Sequence, residues 1–110
     1  MDLKALPKAQ YWPEYDNRAA DMMMIGWHAD TEDSANFYEF LTFCPDADTG
    51  AGQYNAGNYC NPESDARVQK ANVETDLDKR AAMLQEVEQR LYDDAAFVPL
   101  HWPDLAWASK

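Results

Sequence analysis

Apolar and polar positions change period several times along the chain, and each change predicts an element. Asp2-Leu3-Lys4-Ala5-Leu6 alternates polar and apolar residues, the period of a half-buried strand, and Pro7 closes it. Pro13 suits a first helical position, Glu14 and Asp16 suit the first turn, and Tyr15 and Ala19 share a face. A helix is therefore expected over about residues 12–20. Met22-Met23-Met24-Ile25-Gly26-Trp27 is a continuous apolar run between polar neighbours, which predicts a strand buried on both faces. Strand, helix and strand in that order suggest a right-handed crossover.

After a polar stretch from His28 to Asp33, either Asp33 or Ser34 can cap a helix. Phe37, Phe40, Leu41 and Cys44 form its apolar stripe, and Pro45 stops it. Residues 45–60 hold three of the four glycines and read as a long loop. Asn61-Pro62-Glu63 then opens a helix to about Asn72, with Asn61 as the cap. Thr75 with Asp78 makes a capping-box-like start to the strongest helix, whose stripe is Leu77, Ala81, Leu84, Val87 and Leu91. Glu86 and Arg90 stand four apart in the favourable order, whereas Asp93 and Asp94 oppose the helix dipole. Phe97 to Trp102 reads as an edge strand, because Pro99 lacks a donor. The expected fold class is α/β: a small mixed sheet from strands near 2–6, 22–27 and 97–102, covered by about four helices.

The chain has 110 residues, enough for one domain with a modest core. Lys and Arg total 9 against 20 Asp and Glu, a formal net charge of −11. That balance argues against nucleic acid and against an anionic membrane surface, since both require a cationic stripe. The longest apolar run is far too short for a membrane span, and 13% aromatic residues argue against a disordered acidic tail. No basic n-region followed by an apolar h-region opens the chain. This suits either a cytosolic protein or an internal piece of a longer secreted one.

Cys44 and Cys60 bracket the glycine-rich loop. They could be independent buried thiols, but their place at both loop junctions favours a disulfide and an oxidising compartment. Trp27, His28 and Asp30 stand just past the carboxyl end of the expected buried strand, where α/β folds place ligands. Trp offers a flat wall and Asp an anion for an amine or guanidinium. On position alone the plainer alternative is the commoner one: Trp27 in the core and Asp30 capping a turn. Trp12, Trp102 and Trp107 are expected to be packing residues. His28 and His101 lack a partner at metal-ligand spacing. Asp46-Ala47-Asp48-Thr49-Gly50 departs from a calcium loop, because its glycine comes one position early and Gly57 replaces the closing Glu. No phosphate loop and no nucleophile elbow is present, and no cofactor is expected.

Four segments, in order, resemble family 5 extracellular solute-binding proteins, the dipeptide- and oligopeptide-binding proteins of ABC importers. Gly26-Trp27-His28-Ala29-Asp30, followed by Phe37 to Phe43, is similar to their GW-x-x-D segment. Asn58-Tyr59-Cys60-Asn61-Pro62-Glu63-Ser64-Asp65 is similar to their N-P-x-x-D helix start. Asp78-Lys79-Arg80, Leu84, Gln89 and Leu91 resemble a later helix, and Ala95-Ala96-Phe97-Val98-Pro99-Leu100 resembles the closing strand. Ser34 stands where proline is common, and Ala95-Ala96 replaces Ala-Pro.

The resemblance implies the carboxyl-terminal part of the second lobe of a two-lobed, periplasmic or extracellular binding protein that docks on a permease. It implies that residues 1–110 are a fragment of a parent chain bearing a signal peptide. It further implies that Asp30 meets a ligand's α-amino group, that Trp27 lines or braces the cleft, and that Cys44 and Cys60 match the cysteine pair of the dipeptide-binding branch. The expected function is ligand binding without catalysis. Two alternatives are a small metal-dependent hydrolase using His28, Asp30 and His101, and an acidic protein-interaction domain.

Overall fold

In the computed structural model, which describes residues 2–31 and 33–102, order is carried by helices. These are α1 (Lys8–Asp16), α2 (Ser34–Leu41), α3 (Pro62–Val73) and α4 (Leu77–Asp93). The expected loop over 45–60 closes on itself through one antiparallel bridge, Asp46 with Ala51.

The helix starts follow from local chemistry. Asp33, not Ser34, caps α2, accepting the Ala35 N–H at 2.8 Å. Asn61 caps α3 through the Glu63 and Ser64 N–H groups, with Pro62 in the first turn. Asp76, rather than the expected Thr75, caps α4 through the N–H groups of Asp78 and Lys79. The first helix begins earlier than expected, at Lys8, because the Pro7 carbonyl receives the Gln10 and Tyr11 N–H groups. Pro13 therefore stands inside α1, where it removes one donor instead of opening the helix. The helix ends with Arg18 at φ 53°, a left-handed position that glycine usually fills.

The core is a seam between α2, α3 and α4. Val68, Ala71 and Val87 are fully buried, and Ala35, Tyr38, Phe43, Leu84 and Leu91 close around them. The stripe expected on α4 is correct from Leu84 onward and wrong before it. Leu77 is 79% exposed and Ala81 is also exposed, so the apolar packing of α4 begins only near Met83 and Leu84. Charged groups join the helices across their outer faces. Arg67 of α3 pairs with Glu86 of α4 at 2.5 Å, and Arg90 of α4 pairs with Glu63 of α3 at 2.8 Å. Both partners of the expected Glu86–Arg90 pair are thus engaged between helices. Asp94, which opposes the α4 dipole, accepts the Tyr59 hydroxyl at 2.7 Å and the Asn61 amide at 3.2 Å. Those two donors hold its carboxyl below the usual range and explain its position.

The expected sheet is not seen among the described residues. Among the described residues, 2–6, 22–27 and 97–102 are irregular or extended chain with no ladder between them. A strand requires a neighbour for its N–H and C=O groups, and among the described residues no backbone hydrogen bond joins these segments. Several of their apolar side chains face water: Leu3, Met22, Met24, Val98, Leu100 and Trp102 are all exposed, whereas Trp27 packs on Phe40 and Phe97 on Phe37. Trp102 is therefore not a packing residue, and Trp107 lies outside the described residues. The radius of gyration is 15.6 Å, against about 13 Å for a tightly packed chain of this length.

The position of α4 makes one pair of substitutions diagnostic. Leu84→Ala should lower unfolding stability by about 2–4 kcal/mol through the cavity it leaves. Leu77→Ala should change it by less than about 0.5 kcal/mol, and urea titration of both variants checks the contrast.

A second test uses Asp33, which the Arg80 guanidinium at 2.8 Å, and then the Ala35 N–H, hold below the usual carboxylate range. A depressed folded pKa contributes stability above the unfolded value of about 3.9. That contribution is lost as pH falls through the folded value. Asp33→Asn keeps the cap and removes the charge, so it should cost about 0.5–1 kcal/mol at pH 7. Denaturation curves repeated down to about pH 2.5 should show the gap from the unsubstituted protein closing.

Candidate functional site

A groove of about 510 Å³ opens between α1, the segment before Asp30, the end of α2 and the 45–60 loop. Each wall is placed by a traceable contact. From α1 come Trp12 and Asp16, four residues apart and hence on one helix face. The helix is held to the loop by Tyr15, which is buried and donates its hydroxyl to the Tyr54 carbonyl. Tyr11 donates to the Met24 carbonyl and so ties α1 to the next wall.

That wall is Ile25, Gly26, Trp27 and Asp30. Trp27 is its anchor. Its indole N–H donates to Asn36 Oδ1 of α2 at 2.9 Å, and its ring lies 5.4 Å from Phe40 and 5.5 Å from Tyr54. The indole donor is therefore already used, and Trp27 contributes apolar surface and support. At Gly26 a side-chain carbon would meet nothing within 4 Å, so the groove is open above the backbone there.

The remaining wall is Phe40 of α2 with Gln53 and Tyr54 of the loop. The loop is pinned by several bonds at once. The N–H groups of Gly52 and Tyr54 donate to the carbonyls of Glu39 and Phe40 at 2.8 and 3.0 Å. Buried Asn55 donates to the carbonyls of Phe43 and Tyr59 and accepts the Tyr59 N–H. Gly52 has φ +61°, and a side-chain carbon there would meet the Phe43 carbonyl oxygen at 2.3 Å, so only glycine fits this corner. The expected disulfide is formed: Cys44 and Cys60 are bonded, with Cα atoms 4.3 Å apart. Beside it, Asp65 accepts the Cys44 N–H at 3.0 Å through one oxygen, while its other oxygen is buried without a partner. Burial pushes the Asp65 carboxyl above its ordinary value.

The residues singled out by sequence separate here. Trp27 and Asp30 line the groove together; His28 is exposed and does not line it, and His101 is exposed at the far end of the chain. Among the described residues, no group of three His, Cys, Asp or Glu is placed to hold a metal ion. Sequence reasoning missed Trp12, Asp16, Phe40, Gln53 and Tyr54 as wall residues. The four-residue spacing of Trp12 and Asp16 within the expected helix was the available signal. Among the described residues, no Lys or Arg lines the groove. Its chemistry is aromatic and anionic, suited to an organic cation.

Comparison with known proteins gives partial, distant similarity. Over 85 residues the chain is 27% identical to Di/tripeptide-binding protein 4 of Pseudomonas aeruginosa, covering 77% of the chain and 15% of that protein. It is 28% identical over 88 residues to the Dipeptide-binding protein of Escherichia coli, covering 76% of the chain and 16% of the relative. It is 29% identical over 80 residues to the Peptide transport periplasmic protein SapA of Salmonella typhimurium, covering 73% and 14%. The chain thus spans about a sixth of the length of the curated relatives it matches. These relatives are named as binding or transport proteins, not as enzymes. No protein-family model and no solved structure matches the chain. Among the described residues no helix is long and apolar enough to cross a membrane.

Because the loop carries one wall, the disulfide should be required for the groove's shape. Reduction, or Cys44→Ser with Cys60→Ser, should lower stability by about 3 kcal/mol in the chain-entropy model. Near-ultraviolet circular dichroism should report the changed surroundings of Tyr54 and Trp27.

Proposed function

We propose that this chain forms one wall of the ligand cleft in a peptide-binding protein of an ABC importer, within a longer two-lobed parent polypeptide. The groove receives the α-amino end of a short peptide. Asp30 accepts the ammonium group, Trp27 braces the wall behind it, and Phe40 and Tyr54 flank the first side chain. In the isolated chain Asp30 is exposed; closure of the other lobe would exclude water and strengthen the ion pair. The closed form would then dock on a permease in the membrane facing the periplasm or, in a Gram-positive host, the exterior.

The observation that carries this reading is the joint placement of Asp30 and Trp27 in an aromatic groove that no Lys or Arg lines among the described residues. The peptide-binding names of the relatives support it independently. The disulfide is consistent with the oxidising compartment such a protein inhabits.

The test is calorimetric titration of the parent protein with alanyl-alanine and its N-acetyl derivative. Loss of one charge-assisted hydrogen bond predicts that Asp30→Asn weakens alanyl-alanine about 10- to 100-fold. Acetylation should erase the difference between the variant and the unsubstituted protein. Equal affinity of the two proteins for the free-amine peptide would remove Asp30 from the ligand site.

A further inference from the structure

The groove holds a second carboxylate that the amine-binding role leaves unused. Asp16 is the last residue of α1 and lines the groove with Asp30, although 14 positions separate them in sequence. Both carboxylates are exposed, and neither enters an ion pair among the described residues. On the same helix face stands Trp12, 38% exposed and also in the lining. An anion beside a partly exposed indole can hold an alkylammonium or guanidinium group, which gains from the carboxylate at its head and the ring along its stem. A hydrated metal ion gains less here, because the lining brings only two carboxylates, and among the described residues no group of three His, Cys, Asp or Glu is placed to hold one.

Resting on the peptide-binding reading above, we infer that the groove selects peptides carrying a second positive charge. Asp30 takes the α-amino group and Asp16, beside Trp12, takes a lysine- or arginine-type side chain. Asp16 is thereby a specificity-determining residue, and the ligand class narrows from short peptides in general to cationic ones. The chain's net charge of −11 acts in the same direction by attracting cations to the cleft.

Titration with lysyl-alanine and norleucyl-alanine tests this, since the two peptides share a stem length and differ by one charge. The parent protein should prefer lysyl-alanine by about 3- to 10-fold at low ionic strength, and the preference should shrink as salt is added. Asp16→Asn should bring the ratio close to one, and Asp16→Glu should retain most of it. Asp30→Asn should weaken both peptides while leaving the ratio above one.

A ratio of one in the unsubstituted protein would overturn the inference and leave the peptide-binding reading intact. So would a ratio that Asp16→Asn does not change. Loss of both peptides in Asp16→Asn together with Asp16→Glu would overturn it by making Asp16 a support of the fold. Failure of the unsubstituted protein to bind either peptide would instead defeat the peptide-binding reading itself, and this inference with it.

Discussion

The groove exists because the 45–60 loop is pinned against the end of α2. Two backbone bonds to Glu39 and Phe40, the buried amide of Asn55 and the Cys44–Cys60 bond all act on the same stretch. A loop this long loses much conformational entropy on ordering, and no one of these contacts offsets it. The cross-link restricts the unfolded chain, while the hydrogen bonds satisfy backbone groups beside the buried Phe43 and Thr42. With the loop held, Tyr54 meets Trp27, and its carbonyl receives Tyr15 of α1. The walls from α1 and from residues 25–30 are therefore both positioned by the loop.

Stability and chemistry are placed in different halves of the structure. The dry seam lies between α2, α3 and α4, where Val68, Ala71 and Val87 exclude water. The groove lies on the other side of α2, and that helix serves both. Ala35, Tyr38 and Leu41 are buried, while Phe40 faces the groove. Arg80 fixes the start of α2 through Asp33 and so relates the α4 scaffold to the site.

The exposed apolar side chains have a physical meaning of their own. Leu3, Met22, Met24, Val98, Leu100 and Trp102 belong to segments that do not pair among the described residues. Scattered exposed apolar residues are ordinary. Here they coincide with stretches whose backbone forms no ladder among the described residues. This combination fits a chain that spans about a sixth of its relatives, as in the fragment proposed above.

Local features were legible from the amino-acid order. Asn61 before Pro62 announced the start of α3, the Leu84-Val87-Leu91 spacing announced the buried part of α4, and two cysteines at the ends of a glycine-rich loop announced their bond. Trp27 and Asp30 could be named because three positions of sequence separate them. The expected strands show the limit: alternation marks a segment able to pair, but pairing is decided by what lies beside it. Asp16 shows the same limit for chemistry, since only the packing of α1 through Tyr11 and Tyr15 places it in the groove with Asp30. Helix caps, apolar periods and loop closures depend on residues a few positions apart, so the order of amino acids determines them directly. The depth of each helix in the core, the pairing of extended chain and the meeting of two distant carboxylates depend on contacts between remote segments, which only the tertiary structure decides.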